Sequence, residues 1–256
     1  MARSTPSEDK MIRVYDHLAP FYDVLHRRWL RFAGGEAQAA LEAAVRMAMT
    51  PHSQLLDVGC GTGHFARTLL SEGTSPRQIT LLDPSEAMLA HCRDIPVCQR
   101  RNRLEAMPFA DETFDVVTCA WALETVPHPE RALHELIRVL RPDGALCLTF
   151  CAGVPARRPT EWLVQKSMTL RGTGRFLDPA QVISVLRNTA FCDVRVVPCA
   201  GLAATLIARR SLSSHDTPGP QATTLDSNGS GAYPALRHQT PAARRHFVTV
   251  KLWPDH

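Results

Sequence analysis

The chain has 256 residues, 45% of them hydrophobic, and a formal net charge of +4. That length and apolar share suffice for one sizeable core, and the charge is too mild to imply nucleic acid as a partner. No apolar run reaches membrane-spanning length and no basic-then-apolar start resembles a signal peptide, so a cytoplasmic protein is expected.

In chain order, residues 1–9 are polar and expected to be disordered, and residues 10–50, rich in Ala, Leu and Glu, read as helical. Inside that stretch Tyr22, Leu25, Trp29 and Phe32 recur at helical spacing, while Arg27, Arg28 and Arg31 fall elsewhere. Such a segment either packs over the domain as a cover or lies on an anionic membrane surface, so residues 22–32 are a candidate for peripheral membrane contact.

Residues 51–210 alternate strand and helix signals, the pattern of an α/β sheet. Leu55-Leu56-Asp57-Val58 is an apolar strand that runs into Gly59-Cys60-Gly61-Thr62-Gly63, and Phe65, Leu69 and Leu70 mark the helix that follows. Alternating glycines let backbone turn sharply and approach a ligand closely, which suits a nucleoside. A dinucleotide fingerprint would need Gly where His64 stands, and a phosphate-cradling loop would need a following Lys-Ser or Lys-Thr.

Ile79 to Asp83 is a second apolar run with an acidic end, followed by Pro84, Ser85 and a helix carrying Met88 and Leu89. A carboxylate at a strand's carboxyl end can accept both ribose hydroxyls, so Asp83 is the expected ribose ligand, with capping of the next helix as the alternative. Phe114 to Cys119 reads as a strand, Glu130 to Leu140 as a helix with a stripe of Leu133, Leu136, Ile137 and Leu140, Arg141 to Gly144 as a turn, and Ala145 to Phe150 as a strand. Asp178-Pro179 starts a helix whose buried side is Val182, Ile183, Val185 and Leu186. Val194–Val197 and Leu202–Ala208 read as the last strands, and residues 211–256 as a low-complexity, disordered tail in which Phe247 to Trp253 either docks as a short strand or frays. The eight cysteines include no C-x-x-C pair and sit mostly in apolar segments, as Cys119, Cys147, Cys151 and Cys199 do, so reduced thiols and no metal site are expected.

The glycine loop resembles motif I of the class I S-adenosylmethionine (AdoMet) methyltransferases, and "EAMPFADETFDVVTCAWALETV" with "PERALHELIRVLRPDGALCLTF" extends the likeness to the subgroup that includes the ubiquinone and menaquinone biosynthesis C-methyltransferases. The resemblance implies a Rossmann-like fold with a mostly parallel seven-stranded sheet flanked by helices, its last two strands a hairpin, under an N-terminal helical cover. It implies AdoMet as cofactor, with Asp57, Gly59, Cys60, Gly61, Gly63, Asp83, Pro84, Met88, Leu104 and Cys119 around it. Tyr15 to Asp23 is similar to the Y-D-x-x-A-x-x-Y-D element that folds over the cofactor in many of these enzymes, which adds Tyr15 and Tyr22, the latter also offering a hydroxyl to substrate. Two features depart from the family pattern. Arg103 and Leu104 stand where an acidic and a small residue usually meet adenine, and Asp143 replaces a turn glycine, a change Asp absorbs because it tolerates left-handed backbone.

The resemblance implies methylation of a small molecule at O, C or N, with a lipid-like quinone precursor among the candidates. A proton acceptor, where one is needed, would come from loops at the strands' carboxyl ends, which leaves His17, Glu124 and His128 as candidates. The alternative is a non-catalytic AdoMet-binding regulatory protein, and a nicotinamide dehydrogenase is disfavoured by His64.

Overall fold

The computed structural model describes residues 6–153, 162, 166, 175–189, 191–197, 199 and 202–211, and the expectations for the tail lie outside them. Seven strands form one sheet: β1 (Leu55–Val58), β2 (Ile79–Asp83), β3 (Cys98–Arg101), β4 (Phe114–Ala120), β5 (Leu140–Cys151), β6 (Phe191–Val197) and β7 (Ala203–Arg210). Their order is β3-β2-β1-β4-β5-β7-β6, and only β7 runs antiparallel to its neighbours. The expected final hairpin is therefore present as β6 and β7.

The central strands are apolar on both faces because both are covered, as a parallel sheet with crossover helices requires. Leu55, Ile79, Leu81 and Val116 pack with Leu41, Val45, Phe65 and Leu69 on one side. Leu56, Val58, Val117, Leu146 and Leu148 pack with Leu133, Leu136, Val182 and Leu186 on the other. The covering helices are α3 (Gly35–Ala48), α4 (His64–Ser71), α5 (Glu86–Ala90), α6 (Pro129–Val139) and α7 (Pro179–Arg187). Asp178 caps α7 as expected, accepting the Ala180 N–H at 2.9 Å.

The turn expected at Arg141 to Gly144 is an irregularity within β5, where the ladder to β4 jumps from Phe114↔Leu140 to Val116↔Ala145. Asp143 stands there at φ 58° and its carboxylate pairs with Arg209 at 3.1 Å. The left-handed backbone read for Asp143 is thus observed.

The N-terminal stretch divides into pieces with different tasks. Helix α1 (Pro6–Leu18) begins within the residues expected to be disordered, α2 (Tyr22–Trp29) follows a short 3-10 turn, and a π-turn at Leu30–Gly34 leads into α3. Helix α3 is part of the sheet's own covering layer, with Leu41 and Val45 fully buried and the Ala37 carbonyl accepting from Thr205 Oγ1 at 2.9 Å. Only α1, α2 and the turns around them overhang the carboxyl ends of the strands. The cover is shorter than the helical stretch read over residues 10–50, because the Gly34-Gly35 pair ends one packing environment and starts another.

Candidate functional site

At the carboxyl ends of β1 and β2 the chain closes a cleft of about 670 Å³. Its floor is the glycine loop and the β2–α5 turn, and its roof is α1 and α2, which contribute Met11, Ile12, Tyr15 and Tyr22. The lining is mostly apolar with a few convergent polar groups, as ligand sites are.

The three alternating glycines have positive φ, but space constrains them differently. A Cβ on Gly59 would meet the Ala122 side chain at 2.3 Å, and one on Gly63 would meet Ile95 at 2.6 Å and Cys92 Sγ at 2.9 Å, so both positions are fixed by packing against neighbouring elements. Gly59 and Gly61 both line the cleft, and at Gly61 (φ 54°) the space a side chain would take faces the Tyr22 ring, 3.4 Å from a built Cβ. Gly63 sits at the N-cap of α4 and Cys60 beside the loop, half-buried, its Sγ near the Gly61 carbonyl at 3.7 Å; neither lines the cleft.

Asp83 does two things at once. Its carboxylate accepts the Gly61 N–H at 2.9 Å and the Ser85 N–H at 2.9 Å, which braces the glycine loop against the β2–α5 turn. The helix cap is Ser85, whose Oγ accepts the Met88 N–H at 3.1 Å, so the capping alternative for Asp83 is overturned. Asp83 still lines the cleft with Pro84, Met88 and Leu104, and each of its oxygens has a second lone pair to offer a ligand hydroxyl.

The cover is tied down by two carboxylates of the Tyr15 to Asp23 segment. Asp16 accepts from Ser85 Oγ at 2.5 Å and Asp23 accepts from Thr62 Oγ1 at 2.6 Å, so the acidic residues beside the two tyrosines hold the roof to the two floor loops. Tyr15 and Tyr22 meet edge to face at 6.2 Å, and Tyr22 stacks on His26 at 5.5 Å. Burial pushes both phenols well up, so they stay neutral and offer hydrogen-bonding hydroxyls rather than acid or base groups.

Sequence reading missed Trp121. It lines the cleft at φ 57°, a backbone conformation rare for a bulky residue, and is held there by its indole N–H, which donates to Gln38 at 2.7 Å, and by edge-to-face contact with Trp29 at 5.5 Å. Gly34 makes room for the pair, since a Cβ there would stand 2.6 Å from Trp29 Nε1 and 2.9 Å from the Trp121 ring. No local pattern in the chain links these four residues.

Three buried carboxyls surround this region. Burial, and then the charge of Asp83, push Asp57 up to about 7. Burial raises Asp83 to about 6 against its two backbone N–H donors. Burial raises Glu124 to about 7. Glu124 Oε1 accepts the Cys151 N–H at 3.1 Å, while Oε2 is buried and accepts nothing. Asp57, Glu124 and Cys119 lie behind the cleft wall rather than on it.

Two of the candidate proton acceptors fall away. His128 is exposed, standing at the start of α6 where its backbone turns between two prolines, and it does not line the cleft. His17 is on the exposed side of α1, its Nδ1 2.6 Å from the Arg13 carbonyl. Among the described residues no group of three or more His, Cys, Asp or Glu could hold a metal ion, and no helix is long and apolar enough to cross a membrane.

The chain matches the family model for a methyltransferase domain over residues 56–148. It is 37% identical over 164 residues to the ubiquinone/menaquinone biosynthesis C-methyltransferase UbiE of Methylobacterium nodulans, covering 57% of this chain and 62% of that protein. It is 36% identical over 140 residues to the malonyl-[acyl-carrier protein] O-methyltransferase of Pectobacterium atrosepticum, covering 53% of each. The match thus spans less than two thirds of either relative. Among solved structures, a SAM-dependent methyltransferase from Thermotoga maritima superposes with a TM-score of 0.61 at 20% identity, over 78% of this chain and 99% of that one, a likeness of fold.

Proposed function

We propose that this chain, which carries a class I AdoMet-dependent methyltransferase domain resembling that of UbiE, transfers a methyl group from AdoMet to a small, largely apolar acceptor. The observation that carries the reading is the cleft floor: Gly61 backbone facing Tyr22, with Asp83 beside it. The residues present fit the cofactor. Gly61 leaves room where a ligand must touch backbone, Asp83 offers lone pairs to ribose hydroxyls, and Met88 and Leu104 offer apolar surface for a base.

Bound AdoMet would supply a methyl group already made electrophilic by the sulfonium. The chain's part is then to bind, orient and exclude water. Tyr15 and Tyr22 close the roof and can place a ring face or a neutral hydroxyl toward a cation or an acceptor. Asp57, Asp83 and Glu124 gather negative charge around a site whose ligand is positive. Glu124, the remaining proton-acceptor candidate, stands behind the cleft wall with its Oε2 enclosed, so in this reading it supports the wall and adds to the local negative field without touching the acceptor. His128, exposed, has no place in this reading.

The apolar side of the lining, Met11, Ile12, Val126 and Pro127, favours an apolar acceptor. Peripheral membrane contact through residues 22–32 belongs to the same reading, with a different set of side chains from the stripe read in the sequence. Tyr22 and Trp29 turn inward, whereas Phe21, Val24, Leu25 and Phe32 are exposed large hydrophobics, the last 81% accessible, with Arg27, Arg28 and Arg31 exposed beside them. Basic and apolar side chains presented together suit an anionic lipid surface.

Calorimetric titration with AdoMet and S-adenosylhomocysteine, followed by transfer of a labelled methyl group to a panel of hydroxyquinones, phenols and acyl thioesters, tests the proposal. Binding with turnover of a panel member is the expected result. Absence of binding to both nucleosides would overturn it.

A further inference from the structure

The wall of the cleft beyond β4 is built by a loop short of its own hydrogen-bond donors. It runs Thr125-Val126-Pro127-His128-Pro129, and neither proline carries an N–H. Thr125, Val126 and Pro127 nevertheless line the cleft, with Val126 buried. The donors come from a distant part of the chain. Arg175 Nη2 donates to the Val126 carbonyl at 3.0 Å and to the Pro127 carbonyl at 2.9 Å, and the Arg175 backbone N–H donates to the Glu124 carbonyl at 3.1 Å. Bonds from a cation are stronger than those between neutral groups, so the pair made by Nη2 is an effective clamp. Arg175 is itself anchored. Two residues on, Leu177 donates its N–H to the Cys151 carbonyl at 2.9 Å and accepts the Gly153 N–H at 2.7 Å, which ties the segment to the end of β5. Glu124 Oε1 closes the frame by accepting the Cys151 N–H at 3.1 Å.

Ribose at Asp83 and a base against Met88 and Leu104 put the nucleoside on the β2 and β3 side of the cleft, since the sheet order sets β3 beside β2 and β1 between β2 and β4. The β4 side, where Trp121, Ala122 and the wall of Thr125, Val126 and Pro127 stand, is left for the acceptor. Resting on the reading of this cleft as the AdoMet site, we propose that Arg175 is a positioning residue for the acceptor: by clamping the Val126 and Pro127 carbonyls it fixes the depth of the apolar wall against which the acceptor lies. Arg175 is not part of the cleft lining, so it acts through that wall and touches neither acceptor nor cofactor. Without the clamp the wall is free to shift and the acceptor loses its fit. The cofactor keeps its own, because Gly61 and Asp83 belong to elements that Arg175 does not hold.

The test sets Arg175→Met, which keeps an apolar stem and loses every donor, against Arg175→Lys, which keeps a cation with donors for both carbonyls. Calorimetric titration of the full chain gives the affinity for S-adenosylhomocysteine, and a second titration of the saturated protein gives the affinity for 2-hydroxy-1,4-naphthoquinone, with ligand-free melting as the check on folding. Arg175→Met should weaken the quinone about tenfold and change S-adenosylhomocysteine by less than about twofold. Arg175→Lys should recover most of that loss. Should the Met variant not fold, Arg175→Gln, whose amide stops short of both carbonyls, carries the same expectation. A merely structural arginine would lower the melting temperature and leave the quinone affinity unchanged, or weaken both ligands equally; either result overturns the proposal, as does a Lys variant that binds the quinone no better than the Met one. If the unmodified protein binds S-adenosylhomocysteine and that complex does not bind the quinone, the acceptor wall falls and the cofactor site stands. If it does not bind S-adenosylhomocysteine, the cofactor site falls and this inference with it.

Discussion

Asp83 braces two loops as well as facing the cleft, so its removal has two separable consequences. Asp83→Ala strips the acceptor from the Gly61 and Ser85 N–H groups and from any ligand hydroxyl. Cofactor affinity should fall by about 1.5 to 3 kcal/mol, roughly tenfold to a hundredfold, and the ligand-free melting temperature should fall too. Titration and melting together check this; unchanged affinity in a folded variant would remove Asp83 from the site. The raised carboxyls give a pH dependence whose sign is fixed. A carboxyl that binds its proton more tightly folded than unfolded adds stability that is complete below its unfolded value, near 4, and lost as pH rises through its folded value. For Asp83 that value is about 6, and for Asp57 and Glu124 about 7, so ligand-free stability should decline between pH 5 and 8. His26, lowered by burial and then by His64, works the other way, one group against three. The carboxylates paired with arginines, such as Asp94 at about 2, lose their contribution only in more acid solution. Ionised carboxyls favour a cationic ligand, so AdoMet should bind more tightly at pH 8 than at pH 5.5, with a smaller change for uncharged-sulfur S-adenosylhomocysteine. A flat profile for AdoMet would detach these groups from the site.

At the scale of elements, the roof is held by short bonds at its two ends and by a packing arrangement at its base. Replacing Asp16 and Asp23 together with Ala removes the Ser85 and Thr62 contacts. Hydrogen exchange in α1 and α2 should quicken, and methyl transfer should drop more steeply than affinity for S-adenosylhomocysteine, because water enters and the acceptor loses its position. Equal losses in both quantities would mean that the roof binds cofactor and does nothing more. Gly34→Val places a branched side chain against Trp29 and Trp121, whose rings leave under 3 Å for its Cβ. Overpacking of this kind destabilises by about 1 to 3 kcal/mol, and the melting temperature should fall accordingly. The strained Trp121 backbone should relax with it, visible as a change in near-ultraviolet circular dichroism.

For the molecule as a whole, the exposed face of α2 and the following turn sets apolar side chains beside three arginines at the edge of the cleft's roof. Replacing Arg27, Arg28 and Arg31 with Gln should reduce sedimentation with anionic liposomes and leave turnover of a water-soluble acceptor nearly intact. Absence of liposome binding in the unmodified protein would remove the membrane contact from the reading, and the cleft would remain. Transfer to a lipid-borne acceptor, measured on the same vesicles, should fall with the sedimentation.

The sequence by itself located six of the seven strands and the cleft floor, because the relevant signals are local: apolar runs of strand length, alternating glycines, an acidic strand end and a helix cap each act within a few residues, whereas polar, mostly exposed β3 carries no such signal and the seven-stranded sheet came from the resemblance. It marked Asp143 for left-handed backbone by residue type alone. Tertiary structure decided which side chains face the ligand space. Gly63 proved to be a packing position because Ile95 and Cys92 arrive from a distant element, Gly59 lines the cleft while Ala122 closes in on its Cα, and Cys119 and Glu124 turned behind the wall with the pleat and turn that carry them. The stripe read through Tyr22, Leu25, Trp29 and Phe32 split: within α2 the neighbours Tyr15 and Trp121 cover Tyr22 and Trp29 and leave Leu25 exposed, and the π-turn after Trp29 breaks the helical period before Phe32. Trp121 carries no local signature at all; a bulky residue on left-handed backbone is held by what surrounds it, and Gln38, Trp29 and Gly34 reach it only when α3, β4 and the roof come together.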